Sequence, residues 1–145
     1  MGDKRVLYIE DNGQLRWMVM QILQFEGFCP FGAENGLRGI DAALRVNPHL
    51  ILLDFDLPDI DGFEVVARLR KLPAFASTPI LTVTANGSEQ EREHFARAGF
   101  DGCLFKPFDA GQIVHIVREY IARAEMKVPP AIIPGITLYP PENVV

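Results

Sequence analysis

Four short apolar runs each end on a polar residue. Val6-Leu7-Tyr8-Ile9 meets Glu10-Asp11, Leu50-Ile51-Leu52-Leu53 meets Asp54, Ile80-Leu81-Thr82-Val83 meets Thr84-Ala85, and Cys103-Leu104-Phe105 meets Lys106-Pro107. Unbroken apolar runs belong to strands buried on both faces. Helical patterns separate them, which calls for parallel strands joined by crossover helices. The ends of such strands share one edge, where open α/β sheets place their ligand sites. An acid pair, an acid, a hydroxyl and a base therefore fall on one edge. A carboxylate at the mouth of a buried strand gives no packing benefit, so Asp54 is the residue to explain.

The intervening segments read as five helices. Asn12 is a plausible N-cap, and Leu15, Met18, Val19, Ile22 and Leu23 follow at helical spacing until Gly27. Residues 28–33 form a weaker strand candidate, and Pro30 suggests a sheet edge. Leu37, Ile40 and Leu44 mark the second helix; the third begins at Gly62-Phe63 and runs to Leu72, with Pro73 as its stop. Ser88-Glu89-Gln90-Glu91 has the pattern of a capping box and opens a polar fourth helix to Ala98, with Phe95 as its main anchor. The fifth lays Ile113, Ile116, Val117, Tyr120 and Ile121 on the sheet.

From Met126 the character changes. Pro129, Pro130, Pro134, Pro140 and Pro141 favour extended backbone. The organisation is one domain over residues 1–125 and a tail over 126–145. Ile132, Ile133, Ile136, Leu138 and Tyr139 are too apolar for a solvating linker. The tail is either a connector to an output domain or an arm docked on its own domain or on a neighbouring copy, making a homodimer; docking is favoured.

Composition excludes several classes. A net charge of -5 argues against general nucleic-acid affinity. No apolar run approaches the ~20 residues of a membrane span, and the N-terminus turns acidic too soon for a secretory signal. Cys29 and Cys103 stand at unrelated spacing and read as buried thiols in a reducing compartment, so a cytoplasmic location is expected. His49, His94 and His115 share no metal-ligand spacing. Trp17 lies off the first helix's apolar stripe.

The edge residues fit one chemistry. A hard divalent cation such as Mg²⁺ takes carboxylate and carbonyl oxygens and completes its shell with water and phosphate. Asp11 and Asp54 can supply carboxylates, with Glu10 or a water beside them. A carboxylate can attack phosphorus, and a cation with a Lys ammonium then neutralises the gathering charge. Lys106 is placed to be that ammonium, and Thr84 offers a hydroxyl to a phosphoryl oxygen. Pro58 and Gly62 shape the loop after Asp54, Gly62 by allowing backbone angles that other residues resist. Asp59 and Asp61 read as turn formers or helix caps.

These motifs, taken in order, resemble the receiver domains of two-component response regulators over roughly residues 4–124. They are Glu10-Asp11, Asp54 with Pro58 and Asp61-Gly62, Thr84-Ala85, and Lys106-Pro107-Phe108. The resemblance implies a flavodoxin-like (βα)5 fold, with a five-stranded parallel sheet in order 2-1-3-4-5 and helices on both faces. It implies transfer of a phosphoryl group from a histidine kinase or His phosphotransfer protein to Asp54. Glu10, Asp11, Asp54 and the Asp56 carbonyl would then hold Mg²⁺, and the Lys106-Pro107 bond would be cis. Output would pass to a protein partner through the face of the fourth helix, fifth strand and fifth helix. The only chemistry would be the domain's own phosphorylation and dephosphorylation.

One position departs from the pattern. Cys103 stands where the family usually carries Tyr or Phe three residues before the lysine. Two other readings compete: a haloacid-dehalogenase-type phosphohydrolase, from Asp54-Phe55-Asp56, and a receiver-like scaffold that is never phosphorylated. Pro58 disfavours the first; the intact set of Glu10, Asp11, Asp54, Thr84 and Lys106 disfavours the second.

Overall fold

The computed structural model describes residues 3–85 and 87–126 with their side chains, and the backbone of residues 136–138. Its strands are β1 (Arg5–Ile9), β2 (Cys29–Ala33), β3 (Leu50–Asp54), β4 (Ile80–Thr84) and β5 (Gly102–Phe105), with a short β6 (Ile136–Leu138). Its helices are α1 (Gly13–Phe25), α2 (Gly36–Val46), α3 (Gly62–Arg70), α4 (Glu89–Ala98) and α5 (Ala110–Met126). The order β2-β1-β3-β4-β5 is parallel throughout, so the flavodoxin-like fold expected from the sequence is present. One strand was not expected. β6 joins the outer edge of β5 antiparallel, pairing Leu104 with Ile136 and Gly102 with Leu138. The remaining tail residues lie outside the described residues.

Every residue of β3 and β4 is buried, because helices cover both sides of the sheet. One core layer joins alternate strand residues (Val6, Tyr8, Leu50, Leu52) to Val19 and Leu23 of α1 and to α5. The other joins Leu7, Ile9, Ile51 and Leu53 to α2, α3 and Phe95 of α4. β2 is an edge, as Pro30 suggested. The α5 stripe from Ile113 to Ile121 is buried as read.

One helix packs on its small residues, and one helix boundary needs correction. Leu37 and Leu44 do not face the core; they are 51% and 56% exposed. The buried residues of α2 are Gly36, Gly39 and Ala43, with Ile40 beside them; Gly36 faces Ile60 and Val65, and Gly39 faces Ile9 of β1. The sheet approaches so closely that a Cβ on Gly39 would come within 2.4 Å of Ile9 Cδ1. The third helix ends at Arg70 rather than Leu72, and Pro73 instead opens a 3-10 turn to Phe75. A Pro fixes its own backbone and disfavours helix in the residue before it, so α3 ends ahead of Leu72, which is extended.

Helix starts follow local chemistry. Asn12, Asn35, Asp61 and Ser88 each accept a backbone N–H three residues on. Asp59 caps a helix it does not belong to, accepting Gly36 N–H and Leu37 N–H at 2.8 Å each. These contacts hold the β3–α3 loop against α2, next to the strand ends.

Candidate functional site: an acidic strand edge with one lysine

Parallel register brings the polar residues together. Ile9 pairs with Leu53, and Asp54 with Val83, so Glu10, Asp54 and Thr84 end adjacent strands at one level. Lys106 follows β5, and its N–H donates to Thr84 O at 2.9 Å. Glu10, Asp54 and Thr84 are buried, at 1%, 3% and 1% exposure, while Asp11 is exposed. Carboxylate oxygens of Glu10, Asp11 and Asp54 all lie within 4.8 Å of one another.

Lys106 spans the pocket. Its Nζ donates to Glu10 Oε1 at 2.9 Å and to Asp54 Oδ1 at 3.3 Å. Glu10 is fixed further by the Tyr8 hydroxyl at 3.0 Å and the Asn12 N–H at 3.1 Å. Arg16 Nη1 donates to the Glu10 carbonyl at 2.6 Å. Sequence reasoning missed Tyr8 and Arg16. Tyr8 carried a signal, since a tyrosine inside a buried strand needs a partner for its hydroxyl.

The two buried carboxylates share their charge unevenly. Burial works against ionisation of Glu10, but the hydrogen bonds from Lys106, Asn12 and Tyr8, with the Lys106 charge, hold it below its usual range. Burial pushes Asp54 up to about 7; the Glu10 charge adds to this, and Lys106 only partly offsets it. Burial opposes the Lys106 charge as well, yet its bond to Glu10 and the two nearby carboxylates raise its pKa. The arrangement is one cation facing two carboxylates in a cramped site, with Asp11 open to solvent beside them. It is short of positive charge.

Other expected residues fall as follows. Asp56 is exposed, and Asp61 caps α3. Gly62 has no left-handed backbone angle; its need is for space, because a Cβ there would stand 2.7 Å from the Phe55 ring. The Lys106-Pro107 bond is cis. Cys103 is buried, with burial pushing its thiol up to about 12, whereas Cys29 is only half-buried. His49 is half-buried and accepts the Arg5 N–H through Nδ1 at 3.0 Å. Trp17 is 65% exposed. Among the described residues, no helix is long and apolar enough to cross a membrane.

This edge has counterparts in known proteins. The profile of the response regulator receiver domain matches residues 6–118. The chain belongs to the response regulator receiver family. It is 35% identical over 121 residues to the DNA-binding dual master transcriptional regulator RpaA of Synechocystis sp., covering 83% of this chain and 50% of that protein. It is 34% identical over 123 residues to the transcriptional regulatory protein ResD of Bacillus subtilis, covering 85% and 50%. The receiver chain thus spans about half the length of these relatives.

Solved receivers superpose closely. The chemotaxis response regulator CheY4 of Vibrio cholerae is 27% identical with a TM-score of 0.79, covering 82% of this chain and 99% of that one. The receiver domain of the sensor histidine kinase PA1611 of Pseudomonas aeruginosa is 26% identical with a TM-score of 0.76, covering 83% and 99%. That structure carries a magnesium ion in its active-site cleft. Receivers of this family work in two-component signalling, interact with histidine kinases or phosphotransfer partners, and bind Mg²⁺ at an acidic site. The phosphohydrolase alternative finds no support among these relatives.

Proposed function

We propose that this receiver accepts a phosphoryl group on Asp54 from a phosphohistidine donor and uses the change to alter a protein-binding face. The carrying observation is Lys106 Nζ, held within hydrogen-bond reach of Asp54 and Glu10 beside a cluster of three carboxylates. The donor set is all oxygen and anionic, which suits Mg²⁺. Glu10, Asp11 and Asp54 would hold it, with the Asp56 carbonyl as a further ligand. When bound, Mg²⁺ supplies the positive charge that the carboxylates and an incoming phosphoryl group require.

The chain's own residues do the rest. The ionised Asp54 oxygen forms a bond to phosphorus as the donor's P–N bond breaks, and that electron pair leaves with the imidazole nitrogen. Lys106, already bonded to Asp54, moves its donors to the transferred oxygens as the carboxylate charge is spent. Thr84 offers its hydroxyl to one of those oxygens. Hydrolysis of the acyl phosphate resets the site, so self-phosphorylation and self-dephosphorylation are the only reactions assigned. An apolar groove of about 490 Å³ beside Lys106, lined by Leu15, Met18, Ala85, Pro107 and Phe108, gives a donor protein a surface next to the nucleophile.

We assign residues 1–125 to the receiver and 126–145 to a tail, with α4, β5 and α5 as the output face. Homodimerisation through the tail remains part of this reading. RpaA is named as a DNA-binding transcriptional regulator and ResD as a transcriptional regulatory protein, and these names support a cytoplasmic location for this chain. Intact mass with acetyl phosphate and Mg²⁺ tests the assignment. Wild type should gain one phosphoryl group and Asp54→Asn none; uptake by Asp54→Asn would refute the nucleophile.

A further inference from the structure

Cys103 carries no ring, yet the layer between β5 and α4 holds one two residues further on. Alternate strand residues share a face, so Phe105 lies on the same side as Cys103, one step nearer the acidic edge. Phe105 is the register partner of Thr84. Its ring sits directly on Gly87, in the loop that leads from Thr84 to α4: a Cβ on Gly87 would come within 2.5 Å of the ring's Cε1. The Arg92 guanidinium of α4 lies over the same ring, 4.9 Å from its centroid. The ring thus touches both the loop and the helix.

The same layer is incompletely satisfied. Arg92 Nε is buried with no hydrogen-bond partner among the described residues, and so is Thr82 Oγ1, in register with Cys103. A buried donor without a partner carries a cost that a second arrangement can relieve. The helix bearing Arg92 is lightly held, since Phe95 is its one buried residue. These are the marks of an element with two available positions.

We propose that Phe105, seated on Gly87 and covered by Arg92, is the positioning ring through which movement at Thr84 reaches α4. This rests on phosphorylation of Asp54 as assigned above. When Thr84 closes on a phosphoryl oxygen it draws the loop at Gly87 with it. The ring has no room to stay in place, so it changes its seat under Arg92, and Arg92 carries α4. Cys103 serves only as filler behind the ring.

Amide hydrogen exchange over Glu89–Ala98 tests this in the full chain, with Mg²⁺ and with or without beryllofluoride as a phosphoryl mimic. Parallel samples with acetyl phosphate are read by intact mass. Loss of an ordinary cation–π contact changes a two-state ratio roughly two- to fivefold, so the α4 response should shrink by about that factor in Phe105→Leu and in Arg92→Gln. Both variants should still gain the phosphoryl mass, and Cys103→Ala should keep the full response. An undiminished response in Phe105→Leu, or its loss in Cys103→Ala, overturns the proposal. Failure of the wild type to gain the phosphoryl mass overturns instead the assignment of Asp54. Should Phe105→Leu lose its cooperative melt, Arg92→Gln decides alone, because an unchanged α4 response there also overturns the ring's role.

Discussion

Lys106 answers two buried carboxylates with one charge, and the consequences can be measured at single residues. Asp54 in the folded protein keeps its proton up to about 7, while the unfolded carboxyl releases it near ~4. A raised folded pKa means stability that is fully present below the unfolded value and lost as pH rises through 7. Without divalent cation, Asp54→Asn should therefore melt above the wild type at pH 8, by something on the order of a few kcal/mol, and the gap should close toward pH 4. Thermal melts in EDTA across that range check the sign. Mg²⁺ acts the opposite way on the wild type, adding ~2.7 kcal/mol at a hundredfold excess over its Kd. Asp11→Ala should weaken that gain, and equal Mg²⁺ shifts in both proteins would remove Asp11 from the site. Asp54, Thr84 and Lys106 could be read from sequence because each is polar where an apolar strand stops. Tyr8 offered only the hint of a hydroxyl inside a buried strand, and Arg16 none, because it meets the Glu10 carbonyl only when α1 folds against β1. Gly62 was read for its backbone freedom, but only the folded loop shows that the Phe55 ring fills the space a side chain would take.

At the scale of elements, α2 shows where periodicity misleads. Leu37 and Leu44 repeat at helical spacing and mark the helix, yet that stripe is not its buried face. Burial depends instead on how near the sheet comes, and beneath α2 the Ile9 side chain leaves room only for hydrogen atoms at Gly39. Gly39→Ala ordinarily gains ~1 kcal/mol of helix propensity. Here the clash with the buried Ile9 should outweigh it and leave a net loss of about 1–2 kcal/mol. Leu44→Lys should stay within ~0.5 kcal/mol of wild type. Urea melts of the two variants would reverse in order if the leucine stripe were the buried one. The strands and the α5 stripe were legible because burial on both faces, or on a broad face, needs large apolar residues in a regular pattern. α2 escapes that rule by using small ones.

For the whole molecule the closing strand β6 matters most. The open edge of β5 presents unpaired backbone groups, a liability in any sheet, and β6 takes up part of it. Deleting residues 127–145 should lower the melting temperature or raise self-association in sedimentation, while phosphoryl uptake at Asp54 persists. A truncated protein that matches the full chain in both would make the tail a plain linker. The tail's apolar content was visible in the sequence, but its direction was not, since pairing with β5 is a long-range event. That direction also sets where the strand ends. β6 runs against β5, from the level of Leu104 toward that of Gly102, so Leu138 lies toward the opposite end of the sheet from Asp54. This is the end where Lys4 pairs with Glu125. A charge placed on Asp54 would therefore be felt at Leu138 only through the body of the sheet between them.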